Sequence, residues 1–322
     1  MKLLKRNKSE VKTSIGVLGA IATTKRMVDV VREISFDDVR DEAMRPPSML
    51  VLAPSTDEAE RIARLLTGNS DLNGITIGTL DTEVWSRSQY DAIVVNDPDM
   101  SAKSQQYANA QSSGETWEPA ITISHLPFDR AEAEHARAHL AANLGDRVVS
   151  FARHFPAFRR IAITAIVNET STANAQFAFV ANIPSLLPVV GGLLSAGADM
   201  IVLTKNQLMM VYKIAAASGR ALDDQHAIIR EMVPVVGQGF FWRTAAREAT
   251  TMLPLAAGTI PKVAIAFTGT YMLGRAAEVF YRFGKAPTKT QREEFLAQAR
   301  ELLAKLPFGK REKELIESNA AD

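Results

Sequence analysis

The residues able to do chemistry in this chain fall into a few short constellations. Asp57, Glu58 and Glu60 open a helical pattern, directly after the apolar run Met49–Ala53. Three carboxylates there can occupy the positive end of the helix themselves, as capping groups, and would repel a bound anion. Asp97 and Asp99 end another apolar run and could hold a cation, although lone acidic turns are far commoner than cation sites. His135 and His139 lie four apart with Glu132 on the same side, a spacing that could grip a metal. The H-E-x-x-H pattern is missing and the neighbours are charged, so a solvated helix face is the better reading and no metal is assigned. His125, His154 and His226 have no recognisable partners. The chain has no G-x-S-x-G elbow and no basic–aromatic nucleic-acid module. No catalytic residue is assigned.

A different polar pattern runs through the most apolar part of the chain. Asp199, Asn206 and Lys213 recur every seven residues and so share a helical face, with Lys205 and Gln207 flanking Asn206. Val202, Leu203, Met209 and Met210 lie between them. A polar line through an apolar helix is costly unless it is paired or wet. We read it as an inter-helix hydrogen-bond network that fixes register. The functional alternative is a polar track or partner site in a membrane.

The elements that must position these groups follow from periodicity. Residues 10–34 predict a helix, favoured as a packing helix over a basic membrane-surface helix because its charges are mixed after Lys25. Its apolar Ile15–Ala22 is glycine-interrupted and lacks an A-x-A-like site, so cleavage as a signal peptide is not expected. Ser35 can cap a short helix that ends before Pro46-Pro47. Strands are predicted at 49–53, 75–80, 90–97 and 119–126, with a helix between the first two that Gly68 stops. The Ser/Gln/Ala-rich stretch from Ser101 to Trp117 reads as a loop. An exposed helix follows Asp129, and from Arg147 onward helices alternate with breaks expected at Pro156, Pro184, Pro188, Pro234, Pro254, Pro261 and Pro287. A last helix is expected over 290–306.

Charge is divided unevenly. Residues 48–150 carry seven Lys+Arg against fifteen Asp+Glu, and residues 151–322 carry twenty against fourteen. An acidic α/β half suits neither nucleic acid nor nucleotide phosphate, whereas a basic half and basic N-terminus suit an anionic membrane surface. The chain has no cysteine, which excludes disulfides, thiolate zinc sites and thiol catalysis within it. Phe177–Leu203 is long enough to span a bilayer, but Pro184, Pro188, Gly191, Gly192 and Gly197 interrupt it and Asp199 adds a carboxylate. The segment from Pro184 to Gly192 is expected to turn one helix into the next, with a separate helix over 193–217. A second apolar run over 250–281 holds only about twelve uncharged residues between Lys262 and Arg275, short for a span.

The strand, turn and helix over 49–68 invite comparison with the phosphate-binding loop G-x-x-x-x-G-K-[ST]. Placing Ala53 on the first glycine puts Glu58 on the second, Ala59 on the lysine and Glu60 on the magnesium-binding hydroxyl. Gly68 then falls on the glycine that closes the leucine-rich helix of small GTPases, which this stretch resembles in register. The D-x-x-G expected after the third strand reads Asn96-Asp97-Pro98-Asp99, and the N-K-x-D expected after the fourth reads Ser124-His125-Leu126-Pro127. The resemblance implies a Ras-like but degenerate α/β fold without GTPase chemistry. No cofactor is expected and a nucleotide ligand is disfavoured.

The stretches TSTANAQFAFVANIPSLLPVVGGLLSAGADMIVLTKNQLMMVYKIAAASGR, VVGQGFFWRTAAREAT and LPLAAGTIPKVAIAFTGTYMLGRAAEVFYRFGK resemble the bacterial domain of unknown function 697, over about Phe151–Lys285. That resemblance implies a helical, inner-membrane-like domain that accompanies GTPase domains, and it supplies no catalytic residue. The expected organisation is an N-terminal helical segment (1–47), a degenerate GTPase-like α/β domain with a small, mostly parallel sheet (48–146), an all-α domain (147–310) and a charged tail (311–322). The expected function is a non-catalytic membrane-associated or scaffold protein, cytoplasmic or on the cytoplasmic face of the inner membrane. Its expected partners are an unidentified protein and an anionic membrane surface. An atypical GTP/ATP hydrolase and a soluble helical interaction protein are the alternatives.

Overall fold

The runs MLVLA and AIVVN contain almost nothing polar, as expected of parallel strands covered on both faces. In the computed structural model, which describes residues 34–68, 71–81, 89–100, 119–180, 196–236 and 259–306, they form the two central strands of a four-stranded sheet. The strands are β1 (Met49–Ala53), β2 (Ile75–Thr79), β3 (Ala92–Asn96) and β4 (Ala120–Ser124), in the order β2-β1-β3-β4. Every pair is parallel, so no antiparallel strand occurs among the described residues. Val51 sits opposite Ile77 on one side and Val94 on the other. Because strand side chains alternate, Met49, Val51, Ala53, Ala92, Val94 and Ala120 join the main core. Leu50, Leu52, Ile93, Val95 and Ile121 form a separate cluster on the opposite face.

The helices are α1 (Asp37–Met44), α2 (Thr56–Thr67), α3 (Arg130–Asn143), α4 (Arg147–His154), α5 (Arg159–Val180), α6 (Ala196–Ala217), α7 (Gln225–Val236), α8 (Thr259–Phe283) and α9 (Lys289–Ala304). A small α/β unit followed by a helical region is therefore the architecture, as the residue patterns implied. In α2, Ala59, Ile62, Ala63 and Leu66 are buried at helical spacing against the sheet. Gly68 ends α2 at φ 75°, where its N–H reaches Arg64 O and its missing Cβ lets Ala157 Cβ approach. Arg137 of α3 donates to the carbonyls of Leu65 and Leu66 at 2.8 and 3.2 Å, supplying partners for α2's last turn.

The main core runs without a break from the sheet into the helices. Phe151, Phe155 and Phe158 cluster at ring-centroid distances of 5.5–6.3 Å, where α4 turns through a 3-10 segment at Pro156–Phe158 into α5. At the amino edge of the sheet, Arg147 makes paired hydrogen bonds to Asp91 at 2.8 and 2.6 Å and reaches Glu42 at 2.6 Å. Asp91 also accepts from Ser48 N and Arg45. One guanidinium thus ties α1, the start of β3 and α4 together, and these carboxylates hold its pKa above the ordinary arginine value against the opposing effect of its burial.

Several boundaries differ from expectation. The Pro234 break is absent, because α7 continues through it to Val236, losing one hydrogen bond near its end. Pro261 does not break a helix either, since it lies in the first turn of α8, where the N–H has no intrahelical partner. Ser35 accepts from Asp37 N at 3.2 Å, but the capping position of α1 is Phe36. The last helix starts at Lys289 because Thr288 and Gln291 form a capping box. Residues 10–33, 101–117, 181–195 and the charged tail, on which other expectations were placed, lie outside the described residues.

Candidate functional site

Open parallel sheets bind ligands over the carboxyl ends of their strands, where the chain switches direction across the sheet. Here β1 is followed by β2 on one side and β3 on the other, so the switch lies between β1 and β3. Its residues are Ala53, Pro54 and Ser55 after β1, and Asn96 and Asp97 at the end of β3.

The β1 side is built without a loop. Ala53 is the last strand residue, fully buried, and its carbonyl accepts from Leu80 N at 3.0 Å. Only Pro54 and Ser55 separate it from α2. Ser55 caps the helix by accepting from Glu58 N at 3.3 Å. Positions 56–58, which would belong to a phosphate cradle, are already helical. Ala59, in the place of the lysine, is fully buried against the sheet. Glu60, in the place of the hydroxyl, pairs with Arg64 at 2.6 Å, and Glu58 lies 3.6 Å from Arg61. Asp57 and Glu58 add negative charge to the first turn.

The β3 side is polar and buried. Asn96 is fully buried, and its Nδ2 donates to Leu126 O at 2.9 Å. Its Oδ1 is a buried acceptor with no partner among the described residues. Asp97 is 1% exposed, and its N–H donates to Ser124 O. His125 Nδ1 lies 2.7 Å from Asp97 O, so the imidazole donates there. Asp99 is exposed. Asn96 and Asp99 have Asn-x-x-Asp spacing at the end of β3, one strand before the position expected for N-K-x-D. His135 and His139 are exposed on α3, with His135 4.0 Å from Glu132. No group of three potential metal ligands occurs among the described residues.

The polar line of α6 is distributed among separate partners. Asn206 Nδ2 donates to Asn174 Oδ1 of α5 at 2.8 Å. Asn174 Nδ2 donates to Thr270 Oγ1 of α8 at 2.9 Å, and Gln207 Nε2 donates to the same oxygen at 3.0 Å. Asn174 and Thr270 are fully buried and Gln207 nearly so. Lys213 forms an ion pair with Asp146, Lys205 is exposed, and the Asp199 side chain lies outside the described residues. Asn174 and Thr270 are the residues that the sequence reading missed. Asn174 shares its uncharged run with Gln176 and Asn182, so nothing local singles it out, and Thr270 carries no local signal either.

No protein-family model matches the chain, and no curated protein or solved structure is significantly similar to it. No described helix is long and apolar enough to cross a membrane.

Proposed function

We propose that the chain is a non-catalytic, membrane-associated scaffold in which a GTPase-like α/β unit has given up nucleotide chemistry. The observation that carries this reading is the two-residue turn from β1 to α2. A phosphate cradle needs a loop whose backbone amides converge on the anion. With the helix starting at Thr56, that loop has no room, and the first turn carries Asp57 and Glu58 where an anion would sit. The lysine position is a buried alanine. The basic C-terminal half and the uncharged stretch from Thr170 to Ala198 support a membrane surface as partner, alongside a protein partner bound by the α/β unit. Titration with a fluorescent GTP or ATP analogue is expected to give no saturable binding. Micromolar, magnesium-dependent binding would overturn the proposal. Fractionation with a carbonate wash tests the membrane part, which fails if the protein is recovered wholly in the soluble fraction.

One observation favours the ligand-recognition part of the hydrolase alternative, without its phosphate chemistry. The unpartnered Asn96 Oδ1 and the Asn-x-x-Asp spacing to Asp99 are what a base-recognition site would present. Nucleoside without phosphate is the discriminating ligand: binding that Asn96→Ala abolishes would retain base recognition while leaving phosphate chemistry lost.

A further inference from the structure

Four exposed aspartates stand at the carboxyl end of the sheet, one after each strand. Asp57 lies in the first turn of α2 after β1, Asp81 follows β2, Asp99 follows β3 and Asp129 follows β4. No lysine or arginine lies between any strand end and its aspartate. Arg61 of α2 reaches this edge, but it donates to Phe128 O at 2.8 Å and lies 3.6 Å from Glu58. Neighbouring strands are ~4.8 Å apart, so in the order β2-β1-β3-β4 the four carboxylates are spread across about 14 Å. They do not converge on a point, since no group of three potential metal ligands occurs among the described residues. Separate charges along an edge suit a segment bearing several cations rather than a single ion.

The β3 and β4 turns add two features. Asn96 Nδ2 donates to Leu126 O beyond the end of β4, which directs the carboxamide at these turns. Its fully buried Oδ1 has no donor among the described residues. A nucleobase would supply a donor but leave the aspartates uncompensated, whereas a lysine or arginine side chain supplies donor and charge together. Met100 and Leu126, on the same two turns, are exposed apolar side chains at 60% and 61%. Asp97 N donates to Ser124 O at 2.8 Å and His125 Nδ1 to Asp97 O at 2.7 Å, so the turns are already fixed against each other. The occupant that fits is a short segment carrying both cations and apolar side chains.

Residues 2–8, KLLKRNK, are such a segment, with four cations, no acid, and Leu3 and Leu4 among them. Extended, the steps from Lys2 to Arg6 cover about 13 Å at ~3.3 Å per residue, close to the spread of the aspartates. Twenty-five residues separate Lys8 from Ile34, the first described residue. Even wholly helical, they would reach about 38 Å at ~1.5 Å per residue, against about 17 Å for the length of a five-residue strand.

We infer that residues 2–8 of the same chain dock on the carboxyl end of the sheet, setting their cations against Asp57, Asp81, Asp99 and Asp129 and Leu3 and Leu4 against Met100 and Leu126. This goes beyond the scaffold reading and does not depend on its membrane part.

Carbodiimide coupling of the full chain, mixed in equal amounts from unlabelled and heavy-isotope-labelled protein and read by peptide mass spectrometry, tests it. The wild type is expected to give amide links from Lys2, Lys5 or Lys8 to these aspartates within one label. Met100→Ser/Leu126→Ser keeps every charge and is expected to lower the links at least threefold. Asp57→Asn/Asp99→Asn is expected to lower the links to the remaining Asp81 and Asp129 by a similar factor. The Glu301–Lys305 pair, 2.7 Å apart on α9, is expected to link equally in all three proteins. Absence of links at the aspartates, a smaller change in either variant, or links only between differently labelled chains, the mark of a second copy as occupant, overturns the inference.

Discussion

Replacing Gly274 by alanine sets two opposed effects against each other at the closest approach of α8 to its neighbours. A Cβ at 274 would stand 2.5 Å from Val167 Cγ2, 3.0 Å from Val167 Cγ1 and 3.0 Å from Met210 Sδ. Glycine inside a helix costs about 1 kcal/mol relative to alanine, so the substitution starts with a gain of that order. Overpacking a filled core costs about 1–3 kcal/mol. Met210 can yield, because its thioether turns about three bonds. Val167 cannot, because a β-branched side chain on a helix keeps one rotamer and this one is fully buried. With Val167 unable to yield, the steric effect should win, with a net loss of up to about 2 kcal/mol. Urea unfolding followed by circular dichroism should show a lower midpoint with an unchanged slope. Val167→Ala alone should also destabilise, by opening a cavity. Combined, the two changes should recover at least about 1 kcal/mol relative to their sum, because the new methyl fills the vacated space. A Gly274→Ala protein more stable than wild type, or strict additivity in the double variant, would refute the close approach.

Other outcomes follow from the same side-chain arrangement. Thr270→Val should cost about 2–4 kcal/mol in urea unfolding, because it leaves the Asn174 and Gln207 amides without their shared acceptor, while Thr270→Ser should stay near wild type. Tyr212, Tyr271 and Tyr281 all have phenols held above the ordinary value of 10.0 by burial. The unfolded chain loses these protons first, so stability should be fully present below pH 10 and fall as pH rises beyond it, at up to about 1.4 kcal/mol per pH unit for each phenol. Tyr212→Phe should reduce that alkaline slope. At pH 8 it should be neutral or stabilising, since the Tyr212 hydroxyl is buried without a hydrogen-bond partner among the described residues. Ala59→Lys combined with Glu60→Ser should fail to create magnesium-nucleotide binding, because the loop is missing as well as the side chains. Saturable binding by that variant in an equilibrium titration would show that backbone geometry is not the obstacle.

The strands were legible because each carries its own signal. Central parallel strands need apolar residues on both faces, and MLVLA and AIVVN are apolar throughout except for Asn96. Gly68 was legible for a similar reason, since a left-handed helix end is decided within a few residues, whereas the cap that Asp129 provides by accepting from Glu132 N had not been assigned. The proline breaks at Pro234 and Pro261 failed because the cost of proline depends on its place in the helix, and sequence periodicity does not fix helix ends to within a turn. Long-range polar partners were not legible at all. Asn174 and Thr270 are separated by 96 residues, and Arg147 and Asp91 by 56. Nothing local distinguishes Thr270 from any other threonine in an apolar helix.

The candidate site divides along the same line. In the register proposed for a phosphate loop, residue types place Ala53 and Glu58 at the two glycines, Ala59 at the lysine and Glu60 at the hydroxyl. They could not show that Thr56 already begins the helix, which depends on Ser55 capping Glu58 N and on Ala59, Ile62 and Leu66 reaching the sheet. This distinction matters for function. A loop that had only lost its side chains could regain an anion through its backbone amides, since those amides exist whatever the sequence. A strand joined to its helix by two residues has no such loop to restore, and its helix N-terminus is already occupied by a serine cap and two carboxylates. The buried acceptor of Asn96 lies across the same switch point and does not depend on that turn. On the proposed reading, the β3 side of the α/β unit offers a surface for recognition, while the β1 side offers no loop that could hold a phosphate.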